Sequence, residues 1–301
     1  MAERDVVTGA FSYTGRAIAK VLLERGRRVR TLSRSPGPAG SPVEFAPLQF
    51  ADETALTESL RGAETLYNTY WIRFPRGGST FERAIENTRT LLRCAAAAGV
   101  RRFVHVSVSN PSHESSLPYF RGKAELEDAV RASPLEHAIV RPTLIFGAND
   151  ILVNNIAWVF RRFPLFLVPG DGSYRVQPVS VEDVARLCVE AGPGAELDAA
   201  GLETYTFDEL VHLIRAAVGG RARIVHTPVA VALGLARVVG AARRDVVLTR
   251  EETLGLMDSL LVSRDPPTAG DSFQGWLRAN ADQLGRRYVS ELARNYRHAP
   301  L

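Results

Sequence analysis

Cysteine is almost missing from this chain of 301 residues. Cys94 and Cys188 stand alone, outside any Cys-x-x-Cys or Cys/His spacing, so neither a disulfide framework nor a zinc site is indicated. Nor does the start of the sequence read as a leader: Met1 to Asp5 run into the first strand without a basic region followed by an apolar stretch, which predicts no secretory signal and a cytoplasmic protein. No apolar run reaches membrane length. The longest late segment, Pro228 to Gly240, is interrupted by Arg237 and falls well short of the roughly 20 residues a span needs, so no membrane role is expected. There is also no block of one charge. Net charge is +4 and the pI is near 9.3, but the basic residues are scattered, which argues against a nucleic-acid partner. Lysine is the last scarcity: only Lys20 and Lys123 occur against a large excess of arginine, so a lysine that persists carries weight.

What is present is organised around Val6 to Gly15, the stretch Val-Val-Thr-Gly-Ala-Phe-Ser-Tyr-Thr-Gly, a short apolar strand leading through a glycine-bracketed turn into an amphipathic helix. Gly9 permits a sharp turn at the strand end and Gly15 lets the helix lie close to the sheet, the arrangement that seats a pyrophosphate on a helix N-terminus. Ser12 stands where a middle glycine is usual, and Ser12, Tyr13 and Thr14 complete the candidate dinucleotide-binding loop. The helix carries Ile18, Val21 and Leu22 inward and closes at Gly26; Lys20 lies off that face as a surface residue. A second strand, Arg28 to Leu32, ends without the acidic residue that would hold a ribose 2′-hydroxyl, since none occurs between Glu24 and Glu44. Ser33, Arg34 and Ser35 stand there instead, suited to a 2′-phosphate. NADP(H) is therefore the expected cofactor, with NAD(H) as the alternative.

A third strand is predicted around Val43 to Leu48, followed by Asp52 and a short helix with Leu56 and Leu60 inward. A fourth, Glu64 to Thr69, runs into Tyr70-Trp71-Ile72-Arg73-Phe74-Pro75. Aromatics beyond a strand's carboxyl end suit either a substrate or nicotinamide pocket, or packing against a lobe. A long helix over Phe81 to Ala98 and a near-continuous apolar strand over Phe103 to Val108 extend the alternation. Such alternation predicts an α/β fold, a doubly wound parallel sheet of Rossmann type, over residues 1–150. His105, inside the last of these strands, reads as a core or edge residue.

Ser115 and Ser116 offer N-caps and Pro118 a first helical turn for a helix over Tyr119 to Arg131, which Ser133-Pro134 stops. Tyr119 and Lys123, at i and i+4, share one face. A free phenol is a poor acid or base at neutral pH, and a neighbouring ammonium favours its ionised form, so this pair is the candidate proton-transfer group. Lysine suits the task as a compact charge. Gly122 inside the helix costs about 1 kcal/mol against alanine, which implies a close approach by backbone or ligand. Ser107 and Ser109, alternating with Val108, would share a face if the strand continued that far.

With these residues in view, the chain resembles the short-chain dehydrogenase/reductase family. It is closest to the atypical members, the NmrA-like and complex I accessory-subunit-like NAD(P)H-binding proteins. The resemblance spans nearly the whole chain: Thr8-Gly9 through Thr14-Gly15, Asp52, Asn87, His105-Val106-Ser107, Tyr119-x-x-x-Lys123, Val140-Arg141-Pro142-Thr143 through Phe146-Gly147, and Gln177 through Ala185. It implies Tyr119 as acid/base, Lys123 on the nicotinamide ribose, Ser107 polarising the substrate oxygen, Asp52 at the adenine, and Pro142 and Thr143 bordering the nicotinamide, with Thr69 also at the cofactor. Many atypical members bind the cofactor without catalysis.

Residues 151–301 are expected to form a smaller, mostly helical substrate-covering lobe, with about 176–192 returning to the sheet. Helices are predicted over Asn149 to Phe163, Glu182 to Ala191 and Thr206 to Val218, a strand over Val176 to Val179, and mostly helix from about Val229 onward. The expected activity is NADPH-preferring hydride transfer between nicotinamide and a small-molecule carbonyl or alcohol. Two alternatives are a non-catalytic NAD(P)(H)-binding sensor or assembly subunit and a nucleotide-sugar epimerase or dehydratase. An oligomer or a protein partner is compatible with the sequence, and no metal site is predicted.

Overall fold

A computed structural model describes residues 3–296. The first elements alternate as expected: β1 (Arg4–Thr8), α1 (Tyr13–Glu24), β2 (Arg28–Ser33), β3 (Glu44–Pro47), α2 (Glu53–Leu60), β4 (Ala63–Asn68), α3 (Phe81–Ala97), β5 (Arg102–Val106), α4 (Pro118–Arg131) and β6 (Glu136–Pro142). The chain continues through β7 (Leu144–Phe146), α5 (Leu152–Arg162), β8 (Leu165–Pro169), β9 (Arg175–Val176) and β10 (Pro178–Ser180). Next come α6 (Val181–Glu190), β11 (Glu196–Ala199), β12 (Tyr205–Thr206), α7 (Phe207–Ala217), β13 (Arg223–Thr227), α8 (Val229–Arg243), α9 (Arg250–Met257), α10 (Phe273–Asn280) and α11 (Glu291–Asn295).

Two compact units result. The first takes residues up to Pro142 together with Val181–Ala199. Its seven strands pair in the order β11-β6-β5-β4-β1-β2-β3, every neighbour parallel. From β1 the chain winds outward through β2 and β3, then crosses to β4 on β1's other side, which makes the gap between β1 and β4 the topological switch point. Central strands read as continuous apolar runs because both faces are covered. Val6, Leu32, Leu66, Phe103 and Ile139 are fully buried beside Leu56, Leu60 and Leu91 from the helices. Capping fixes the helix starts: Asp52 accepts from Ala55 N at 2.9 Å, and Thr80 accepts from Arg83 N at 3.2 Å.

The second unit, Thr143–Ser180 with Ala200–Leu301, is less purely helical than its periodicity predicts. β8 and β13 pair in parallel, β7 and β10 likewise, and β9 and β12 antiparallel. Each partner is remote in sequence, so no local turn signal announces the pairing. The expected strand over Val176 to Val179 is split at Gln177, whose N–H donates to Leu261 O while its side chain holds Gly201 O and Ser263 N. Phe146, Phe160, Leu210, Val211, Ile214 and Phe273 form this unit's core. The boundary falls at Pro142/Thr143 rather than at residue 150. The returning segment extends to Ala199 because β11 adds to the free edge of β6. Among the described residues no helix is long and apolar enough to cross a membrane, and no His/Cys/Asp/Glu cluster suits a metal; both cysteines are buried and unpaired.

Candidate functional site

The site is assembled at the carboxyl ends of β1, β4 and β5. At β1, Gly9 has φ +64°, and a Cβ on Gly15 would lie 2.2 Å from Gly9 O, so only glycine lets α1 approach the strand. Ser12 is the N-cap residue of α1, yet its hydroxyl donates to Gly9 O at 2.6 Å rather than capping the helix. Among the described residues the N–H groups of Thr14 and Gly15 find no acceptor. Free N–H donors at the positive end of a helix, beside a glycine surface, fit a dinucleotide pyrophosphate.

The loop after β2 reaches this turn through a contact the sequence did not announce: a Cβ on Gly37 would lie 2.0 Å from Phe11 Cζ. Phe11 thus holds the segment carrying Arg34 against the glycine turn. Arg34 is exposed and makes no ion pair or hydrogen bond among the described residues. Ser33 is committed differently, its hydroxyl donating to Ser35 O at 2.7 Å. Asp52 is exposed, with one carboxylate oxygen spent on the cap of α2.

A buried polar chain crosses the strand ends. Thr8 Oγ1 donates to Asn68 Oδ1 at 3.2 Å and accepts from Thr69 N at 2.7 Å, while Thr69 Oγ1 donates to Thr8 O at 2.6 Å. Asn68 Oδ1 also accepts from Tyr70 N at 3.1 Å, so its amide nitrogen is the atom that meets His105 Nδ1 at 3.1 Å. His105 therefore carries its proton on Nε2, which is buried without a partner among the described residues. Burial, and secondarily the charge of Lys123, hold this imidazole neutral. It is a core residue that locks β4 to β5.

Tyr119 and Lys123 share a face of α4 as the spacing requires. Leu117 rather than Ser115 or Ser116 is the N-cap residue, because Pro118 occupies the first turn and the Ser115 hydroxyl accepts from Leu117 N. Lys123 is 2 % exposed, and its Nζ donates to Val106 O at 2.8 Å. The amine also lies 4.8 Å from the ring centroid of Trp71. Burial lowers its pKa from 10.5 to about 7, with Glu127 acting weakly the other way. The same indole meets Tyr119 edge-on at 5.9 Å and stacks on Phe81 at 5.7 Å. It also explains the glycine inside the helix, since a Cβ on Gly122 would stand 3.1 Å from Trp71 Cη2. Trp71 Nε1 is itself buried and unpartnered among the described residues. The aromatic segment after β4 therefore forms a wall around Tyr119 and a cover over Lys123.

Ser107 has a partner within the fold. A serine that polarises a substrate oxygen must donate to it, but this hydroxyl donates to Glu127 Oε1 at 2.6 Å. Glu127 is buried and paired with the half-buried Arg141 and the exposed Arg131, whose guanidinium groups also hold Glu196. Ser109 is fully buried, and its N–H donates to Pro142 O at 3.0 Å. Pro142 ends the first unit and Thr143 begins the second, both buried. Sequence reasoning missed Glu127, although its place one helical turn beyond Lys123 was visible.

Comparisons with known proteins bear on the family and the fold. The sequence model of the NAD(P)H-binding family matches residues 9–191, more than half of the chain. Among curated relatives, subunit 9 of the NADH dehydrogenase [ubiquinone] 1 alpha subcomplex, mitochondrial, of Arabidopsis thaliana is 26% identical over 81% of this chain, which spans 64% of that subunit's length. An uncharacterized protein of Mycobacterium tuberculosis is 30% identical over 72% of this chain but only 23% of its own length. A ceramide reductase of Caulobacter vibrioides is 29% identical over 74% of this chain and 73% of its own. In structure the chain is similar to MoeE5 bound to UDP-glucuronic acid and NAD, with a TM-score of 0.67 at 19% identity, covering 91% of this chain and 96% of that one. It is also similar to the UDP-glucose 4-epimerase of Thermotoga maritima, with a TM-score of 0.65 at 18% identity, covering 93% and 97%. Those two likenesses concern the fold. With a glycine turn at the switch point of a doubly wound sheet and the family match across it, the chain belongs to the NAD(P)H-binding family, among the atypical short-chain dehydrogenase/reductase proteins.

Proposed function

We propose that the protein is an NADPH-preferring oxidoreductase acting on a carbonyl or alcohol, with Tyr119 as the proton-transferring residue. The observation that carries this reading is the shared face of α4, where Tyr119 and Lys123 meet one indole beside the carboxyl end of β5. A nicotinamide dinucleotide supplies or accepts the hydride when bound. The Thr14 and Gly15 N–H groups hold its pyrophosphate, Arg34 its 2′-phosphate, Asp52 the adenine, and Thr69, Pro142 and Thr143 the nicotinamide side. Tyr119 Oη gives a proton to the substrate oxygen in reduction and removes it in oxidation. Lys123, with a pKa near 7, changes charge in the working range and biases the phenol accordingly. The aromatic surroundings, Trp71, Phe81 and Phe120, exclude water from that proton and favour a carbonyl on an apolar skeleton.

The test is NADPH oxidation against a panel of aldehydes and ketones with wild type and Tyr119→Phe. Turnover is expected to fall at least about 100-fold with cofactor affinity unchanged; a variant that turns over like wild type removes Tyr119 from the mechanism. One observation favours a second reading, a non-catalytic cofactor-binding subunit: the Ser107 hydroxyl is spent on Glu127, and the Lys123 amine on Val106 O beneath Trp71. Tight NADPH binding without hydride exchange across the whole panel would establish that alternative.

A further inference from the structure

Helix α8, Val229–Arg243, turns an apolar arc outward. Ala232, Leu233 and Gly240 bury its inner side, which fixes the helix to the second unit. On the opposite side Val231, Leu235 and Val238 are 52%, 48% and 64% exposed, and at i, i+4 and i+7 they fall on one stripe. The exposed positions between them are alanine and glycine, with Arg237 at the margin. Single exposed apolar side chains need no explanation, whereas a contiguous apolar arc marks an interaction surface.

Charge identifies the kind of surface. From Leu210 to Arg244 there is no acidic residue, while arginine occurs at 215, 221, 223, 237, 243 and 244. Arg237 and Arg244 are exposed and make no ion pair among the described residues. In the parallel-sheet unit, by contrast, Arg27, Arg93, Arg131 and Arg141 each hold carboxylates. We infer that the outward arc of α8, with its flanking arginines, docks peripherally on an anionic lipid surface. A segment of this length is too short to cross a bilayer, but a helix lying in the interface needs only an apolar face and cations at its rim. A second copy of the chain fits less well, because two such arcs meeting across a twofold axis bring cations together with no carboxylate on either arc. The inference uses neither Tyr119 nor Lys123, so it stands or falls apart from the proposed reaction.

Flotation of the full chain with phosphatidylglycerol/phosphatidylcholine vesicles, against vesicles of phosphatidylcholine alone, tests it. Binding is expected only where phosphatidylglycerol is present, and it weakens with salt. The double variant Val231→Gln/Val238→Gln is expected to weaken binding by at least about tenfold, and Arg237→Gln by about fivefold. All these positions are exposed, so far-ultraviolet circular dichroism melts should match wild type. Absence of flotation at low salt overturns the inference, as does flotation of the double variant equal to wild type. A concentration-dependent dimer that the double substitution abolishes, without vesicle binding, overturns it in favour of a self-interface.

Discussion

Just beyond the carboxyl end of β1 the candidate site is made of backbone: two glycines, a turn and N–H groups that find no acceptor among the described residues. At the carboxyl end of β5 it is made of side chains, and those are closed in, with Lys123 beneath Trp71 and Ser107 held by Glu127. The first region offers groups that a helix start leaves unsatisfied in any case. The second keeps an ionisable amine out of water, an arrangement that costs stability and is expected where chemistry is performed.

Gly15→Ala should break the first region outright. The added Cβ falls 2.2 Å from a backbone oxygen, so strand and helix must separate. NADPH affinity is expected to drop by more than about 100-fold, with a melting temperature lowered by several degrees, corresponding to a few kcal/mol. Calorimetric titration and a thermal melt measure both.

Lys123→Met sharpens the contrast in the other direction. With a folded pKa of about 7 against an ordinary 10.5, the unfolded chain binds more protons between those values. The wild type therefore loses stability as pH falls from about 10.5 to about 7 and bears the full cost of a buried ammonium below that. The variant should gain on the order of a few kcal/mol over wild type at pH 6 and distinctly less at pH 10, while losing turnover. Melting curves across that range decide it; a pH-independent difference would show that burial of the charge is not what the lysine costs.

The smallest effect is expected at Arg34. Its replacement by Ala removes one charge-assisted contact, so the NADPH-over-NADH preference should fall by roughly tenfold while NADH affinity stays constant. Equal losses for both cofactors would mean that Arg34 serves the loop and not the 2′-phosphate.

Legibility followed the range of the interactions. The glycine turn, the strand alternation and the i, i+4 pairing of Tyr119 with Lys123 depend on neighbours within a few residues, and each was readable. The β8–β13 pairing, the Phe11–Gly37 contact and the Ser107–Glu127 hydrogen bond join segments remote in sequence, and no periodicity reports such contacts. The aromatic segment after β4 lies between these cases. Its composition marked it, but pocket and packing remained equal readings until Trp71 was placed over Lys123 and against Gly122.

By itself the sequence determined the parallel doubly wound sheet, the glycine turn at Gly9 to Gly15 and the common face of Tyr119 and Lys123, because backbone sterics and helical periodicity act locally. Only the tertiary structure decided that the second lysine is buried with a pKa near 7, that the Ser107 hydroxyl donates a hydrogen bond to Glu127, and that α8 presents an apolar arc outward. Burial and partner choice are properties of what the rest of the chain brings alongside a residue, and composition carries no record of that.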